Sequence, residues 1–293
     1  MRPASYILCL VLPAAFLLVR TASAQPDSAL NRKKLRILVI SSGAGYVAGI
    51  AGLNYVWYKN TARQSFRFFN DNPEWKQMDK AGHFFSSFQL SELPARALKS
   101  CNLDDRRSNL YGALTGFLLT LPIEVMDGFS DGYGASVGDA VADAAGPAFF
   151  LAQQFGWGET RIVPKLSFHR TRYPPLRPEL LGDNLAGEIV KDYNGQTFWL
   201  SFDVDKFTVF PRWLNLAVGY GAEDMVYARD RENRAAGYDP WRQYYLAVDI
   251  DLTAIRTRSR VVRSLIRVAN MVRFPAPALE FSHKRVKFHP LYF

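Results

Sequence analysis

The stretch Tyr244-Tyr-Leu-Ala-Val-Asp-Ile-Asp-Leu252 alternates apolar residues with aromatic, small or acidic ones at every second position. A period of two is typical of an antiparallel β-strand with one apolar face. The same alternation recurs in residues 198–205 and 214–221, and a fourth strand is predicted at 279–288. The second half of the chain is therefore predicted to form a small antiparallel sheet.

The polarity of these strands fits either the outer membrane or a half-buried sheet in the periplasm. Apolar-out, small-or-polar-in alternation and a terminal aromatic residue, Phe293, are also features of outer-membrane strands. Because three or four strands are too few to close on themselves, the pattern favours a half-buried sheet in the periplasm.

Residues 257–274, between the third and fourth strands, carry an apolar stripe at helical spacing among arginines. They predict a basic amphipathic helix, which either lies on a membrane surface or packs on the sheet.

The first half of the chain has helical character. Residues 37–58 carry no charge and include Gly45-x-x-x-Gly49, the close-packing spacing of membrane helices. This segment either spans a membrane or forms the central helix of a soluble core. Further helices are predicted at 75–97, 110–125 and 136–155, with Ser136 as an N-cap.

The chain is thus predicted to be α+β: a bundle of about four helices, then the sheet with its basic helix. We expect a signal peptide at 1–24, a helical domain at 25–160 with an acidic and histidine cluster, a linker and turn segment at 161–196, and a β region at 197–293. The signal peptide is predicted from Arg2, an apolar core and Ala22-Ser-Ala24, so Gln25 should begin the mature chain.

The charge of the chain limits its binding partners, and its cysteine content limits its disulfides. The net charge is +9, and arginines at 256, 258, 260, 263, 267 and 273 stand in a segment that contains no acid. An exported protein meets little nucleic acid, so this segment is expected to face anionic lipid or an acidic envelope protein. Without the signal peptide, Cys101 is the only cysteine, which excludes an internal disulfide.

Ionisable residues in the apolar helices fall at helical spacings of three or four, and such charges need partners when buried. The predicted polar cluster comprises Asp79, Lys80, His83, Glu124, Asp127, Asp131, Asp139 and Asp143. Three hypotheses fit it. The residues form a structural network; or His83, Glu124, Asp127 and Asp139 bind a divalent metal ion that activates water; or the cluster is a non-catalytic binding pocket.

The run Lys191-Asp-Tyr-Asn-Gly-Gln196 has the composition of a turn before a strand. Its alternative interpretation is functional: Lys191, Asp192, Asn194 and Gln196 would form a polar lip over the acidic cluster.

Five motifs together resemble the domain-of-unknown-function 2279 family of predicted periplasmic, lipoprotein-like bacterial proteins. They are Met78-Asp-Lys-x-Gly-His83, Glu124-x-x-Asp-Gly-Phe-Ser130, Gly134-Ala-Ser-x-Gly-Asp139, Pro164-Lys-x-Ser-x-His169 and Lys191-Asp-Tyr-Asn-Gly-Gln-Thr-x-Trp-Leu-Ser201. The resemblance runs from about residue 75 to the end, and the first half also resembles VanZ-like membrane proteins.

The resemblance implies a location in the periplasm or outer membrane of a Gram-negative envelope and no established reaction. The chain departs from the family in lacking a lipid-accepting cysteine, and Asp143 stands where the family pattern has asparagine. The leading hypothesis is a non-enzymatic envelope component attached to a membrane or an outer-membrane complex. The alternative is a metal-dependent hydrolase or transferase acting on an envelope lipid or glycan.

Overall fold

The computed structural model describes residues 29–58 and 62–293. The predicted signal peptide, residues 1–24, lies outside them. The described chain divides into two compact units. One comprises the described residues up to Asn70 together with Ser86–Ala152, and the other comprises Asp71–Phe85 and Gln153–Phe293.

The element order confirms the α+β class. The helices are α1 Arg32–Tyr58, α2 Met78–Lys99, α3 Asp105–Gly128, α4 Val137–Trp157, α5 Pro178–Leu181, α6 Leu185–Lys191, α7 Asp230–Ala235 and α8 Arg260–Ala269. The strands are β1 Ile162–Phe168, β2 Gln196–Phe202, β3 Leu214–Glu223, β4 Trp241–Ile250, β5 Ala276–Ser282 and β6 Arg285–Tyr292.

Small residues hold the first unit together. On α3, a Cβ at Gly116 would lie 2.0 Å from Ser91 Oγ and 2.6 Å from the Ser87 carbonyl oxygen of α2. One turn earlier, Gly112 meets Ala95 in the same way. These contacts let two helix backbones approach closely, as glycine and serine do in tightly packed helix pairs.

Helix α1 makes few contacts along its length. Tyr46 donates a hydrogen bond to the Leu119 carbonyl of α3, and Ile50 is buried. Most of its other side chains are exposed, and the Cβ positions of Gly45 and Gly49 face open space.

Two helices of the described chain, Arg32–Tyr55 and Asp105–Gly128, are long and apolar enough to cross a membrane. A third of the apolar stretch of the second one is buried in the protein.

The second unit is built on a six-stranded antiparallel sheet in which each strand pairs with the next along the chain. Strand β1 lies in the segment that the sequence predicts as a linker. Pro164 argues against a strand there, because proline lacks the N–H that a strand donates. Because β1 is an edge strand, the missing N–H of Pro164 does not interrupt the sheet.

The predicted fourth strand is a hairpin, β5–β6. Its turn residues His283 and Lys284 both have positive φ, as a two-residue type I′ turn requires. Neither is the asparagine or glycine that signals such a turn in a sequence. The prediction of one strand at 279–288 was therefore wrong: residues 279–282 and 285–288 belong to two strands of the sheet, with a turn between them.

The buried face of the sheet is the polar one. Lys165, Trp199, Gly219, Tyr245 and Glu280 follow one another across β1 to β5 in register, and the four with side chains are at most 5% exposed. The half-buried sheet expected from the sequence would place the apolar face inside. The structure buries the opposite face because its polar side chains pair with one another.

Helix packing predicts opposite effects for two glycine-to-alanine changes. Alanine at either position favours the helix by up to about 1 kcal/mol. At Gly116 the added methyl group meets backbone, so Gly116→Ala should lower the free energy of unfolding by about 1–3 kcal/mol. Gly156→Ala in α4 has nothing within 4 Å and should be neutral or stabilising. Denaturation curves of the two variants measure this difference. Equal changes in the free energy of unfolding would contradict the close packing of α2 and α3 at Gly116.

Candidate functional site

Two of the predicted cluster residues meet at the start of α4. The Ser136 hydroxyl accepts the N–H of Asp139 at 3.1 Å, which confirms Ser136 as the N-cap. The Ser136 N–H donates to Glu124 Oε2 at 2.9 Å. Glu124 and Asp139 are both buried, as is Asp143 one helical turn further on. Carboxylates at a helix N-terminus are stabilised by the helix dipole.

The turn between α3 and α4 fixes this arrangement. Residues 63–69 run beside it and make bridges from Arg63 to Ser130 and from Phe68 to Ala135. Gly128 lies so close to the Phe66 ring, and Gly134 to the Phe69 Cβ atom, that neither position has room for a side chain. The glycine-rich sequence is therefore explained by packing around the turn.

Asp127 and Asp131 differ from the buried acids of this unit. The Asp131 side chain is exposed, and its carbonyl oxygen accepts Arg67 Nη2 at 2.8 Å. Asp127 is half-buried, and its charge adds to the burial that raises the pKa of Tyr133 to about 12.

In the second unit, Lys80 lies between two carboxylates. Its Nζ is 2.6 Å from Asp71 Oδ1 and 2.9 Å from Asp79 Oδ2. Burial raises the pKa of Asp79, and the Lys80 charge opposes that rise. His83 follows on the same helix and is half-buried.

The residues of the predicted lip are bonded to one another and to other segments of the second unit. Asp192 accepts the Thr171 hydroxyl at 2.5 Å and the Asn194 amide at 2.8 Å. Asn194 also exchanges two hydrogen bonds with the backbone of Met225, and Gln196 donates to the Ile189 carbonyl. Lys191 donates to the Glu179 carbonyl at 3.4 Å. These bonds give the turn its own structural role, and the lip stays a prediction.

The predicted cluster is shared between the two units. Asp79, Lys80 and His83 belong to one, whereas Glu124, Asp127, Asp131, Asp139 and Asp143 belong to the other. The convergence of all eight, and the metal site of His83, Glu124, Asp127 and Asp139, stay predictions. Within each unit, a carboxylate of the cluster is bonded: Glu124 accepts the Ser136 N–H, and Asp79 pairs with Lys80, as members of a structural network do.

A comparison with known families adds to this geometry. Residues 67–153 match the family model described as predicted periplasmic lipoprotein (DUF2279). The match confirms the family resemblance over these residues, and it supports an exported protein of the cell envelope. It ends before the motifs at 164–169 and 191–201, whose resemblance stays a prediction. No curated protein and no solved structure matches the chain.

Polar residues inside the sheet form a further cluster that the sequence did not reveal. Lys165 Nζ is 2.7 Å from Asp249 Oδ2, and both side chains are at most 1% exposed. Arg273 is also buried: it stacks 4.2 Å above the Trp199 ring and donates to the Tyr292 carbonyl. Asp249 was visible as a polar residue of the alternating pattern, but the pattern does not tell which face is buried.

The Lys80 ion pairs predict a pH-dependent loss of stability. Lys80→Met leaves Asp71 and Asp79 without that cation and should lower the free energy of unfolding by about 2–4 kcal/mol at neutral pH. A carboxyl whose pKa is raised in the folded state costs stability only where it is ionised. The loss should therefore shrink as pH falls through the raised pKa of Asp79, and vanish below about 3.9, the ordinary value.

Lys99→Met is the matched control for this change, because its partner Asp105 is largely exposed. It should change stability by less than about 1 kcal/mol at any pH. Denaturation curves of both variants between pH 3 and 8 would test this. A Lys80→Met loss that does not vary with pH would contradict the ion-pair account.

Proposed function

We propose that the protein is a non-enzymatic component of the cell envelope, attached to a membrane by helix α1. The observation that carries this proposal is the exposure of apolar side chains on α1. Ile37, Ile40, Val47 and Tyr55 are each about half exposed or more. The central helix of a soluble core buries such residues on most sides, whereas a lipid-facing helix does not.

Helix α8 supplies a second contact with the membrane surface. Its apolar side chains Val261, Leu265 and Val268 share one face, at spacings of three and four, and all are exposed. The side chains of Arg256, Arg258 and Arg263 are exposed in the same segment. Such a helix lies in a membrane interface with its arginines on anionic headgroups. Arg273 is buried and therefore does not contribute to the positive charge that faces the headgroups.

The non-enzymatic part of the proposal rests on the acidic residues. The Glu124 carboxylate accepts the N–H of Ser136, the N-cap of α4, and the carboxylates of Asp71 and Asp79 pair with Lys80. Groups held in this way stabilise the fold without any reaction being required of them.

The two contacts respond differently to washing. Charge attraction fades beyond a Debye length of about 8–10 Å and weakens with salt, whereas a spanning helix is held by the hydrophobic effect. Membranes should therefore retain the protein through high salt and then alkaline carbonate, as followed by immunoblotting. The triple variant Arg258→Gln, Arg263→Gln and Arg267→Gln should also be retained.

Arg212→Gln, Arg231→Gln and Arg234→Gln make a control with the same loss of charge, on exposed arginines outside the connection that contains α8. Release of the parent by salt alone would refute the spanning helix and leave α8 as the attachment; the α8 triple variant, but not the control, would then be soluble. A parent that is soluble from the start would refute membrane attachment altogether.

A further inference from the structure

The exposed face of the sheet is apolar over four strands. Val218, Leu246, Leu279 and Phe288 stand directly opposite one another across β3, β4, β5 and β6. Since paired strands lie about 4.8 Å apart, this row extends about 14 Å. All four side chains are at least 36% exposed, and Phe288 is 60% exposed.

A second row lies beside the first. Tyr220, Tyr244, Phe281 and Val286 are again opposite one another on the same four strands. Tyr220 is partly covered by Met78 and its neighbours, and the other three are exposed. We call the exposed residues of the two rows, from Val218 to Phe288, the outer face.

The sheet cannot bury the outer face instead of the inner face, because the polar contacts of the inner face are made in the interior. The inner face holds the Lys165–Asp249 ion pair, the Arg273–Trp199 stack and a hydrogen bond between the hydroxyls of Tyr245 and Tyr292. Exposing the outer face to water is therefore built into the register of the strands. A contiguous apolar surface of this kind marks a site of contact with membrane or with another protein.

Charge distinguishes these two occupants. Helix α8 lies in the connection between β4 and β5, two of the four strands of the outer face. The connection exposes apolar side chains and arginines and contains no acidic residue from 252 to 275. Apolar strands joined by a connection that exposes both apolar side chains and arginines match acyl chains below anionic headgroups.

We propose that the outer face contacts the acyl chains of an anionic membrane leaflet, with the arginines of the α8 connection at its headgroups. This inference rests on the membrane attachment proposed above and adds a second, lipid-contacting element to it. It proposes that lipid contacts the outer face of the sheet, and the attachment by α1 does not require this contact.

Site-specific fluorescence tests the contact in the intact mature chain. In a Cys101→Ala background, Leu246→Cys or Phe288→Cys is labelled with bimane and reconstituted into phosphatidylethanolamine–phosphatidylglycerol vesicles. Arg231→Cys, on exposed α7, is the control. Quenching by brominated acyl chains and by aqueous iodide is measured after flotation, and circular dichroism checks the fold.

Bromine should quench both outer-face labels and iodide should not, while the Arg231→Cys label should show the reverse. Vesicle-bound protein whose outer-face labels respond to iodide would overturn this inference and leave the proposed attachment intact. Protein that does not float with vesicles would overturn both. Outer-face labels shielded from both quenchers, with crosslinking between copies, would assign the face to a second copy and also overturn the inference.

Discussion

The ion pair between Lys165 and Asp249 lies inside the sheet, with both side chains almost fully buried. Asp249 also accepts the Ser201 hydroxyl at 2.6 Å, and Lys165 donates to Asn270 Oδ1 at 3.0 Å. Two charges removed from water need such partners, because an isolated buried charge costs several kcal/mol. The pair therefore fixes which face of β1 and β4 points inward. Since side chains alternate along a strand, it also fixes the apolar residues outward.

Arg273 extends this constraint to the chain that follows α8. Its guanidinium donates to the carbonyls of Tyr292, Val248 and Ala276, and it stacks on Trp199. The polar interior thus ties β2, β4, β5 and β6 to the end of the connection that contains α8. The inverted polarity of the sheet and the basic helix are parts of one arrangement, which is the physical basis for the proposed membrane contact.

The sequence predicted the class of the fold well where its periodicity was long and regular. The longer helices, α1 to α4 and α8, were predicted within five residues of their ends, whereas the short helices α5, α6 and α7 were not predicted. The strand at Pro164 and the turn at His283 were not identified, because each lacks its usual residue signal. Which face of the sheet is buried depends on pairs such as Lys165 with Asp249, 84 positions apart, and no local pattern contains that information. For the same reason Arg273 looked like one more surface arginine. In the candidate site, the Ser136 cap was predictable from its neighbours, whereas the Lys80–Asp71 pair was not.

A double-mutant cycle on Lys165 and Asp249 tests the central claim that the polar face of the sheet is its interior. Lys165→Met and Asp249→Leu alone should each lower the free energy of unfolding by about 3–5 kcal/mol, because each leaves one buried charge without its partner. The double variant replaces the pair by apolar groups of similar size and should regain most of that loss. If each single variant changes the free energy of unfolding by less than about 0.5 kcal/mol, the pair behaves as a surface pair. That result would contradict the claim that the polar face of the sheet is buried.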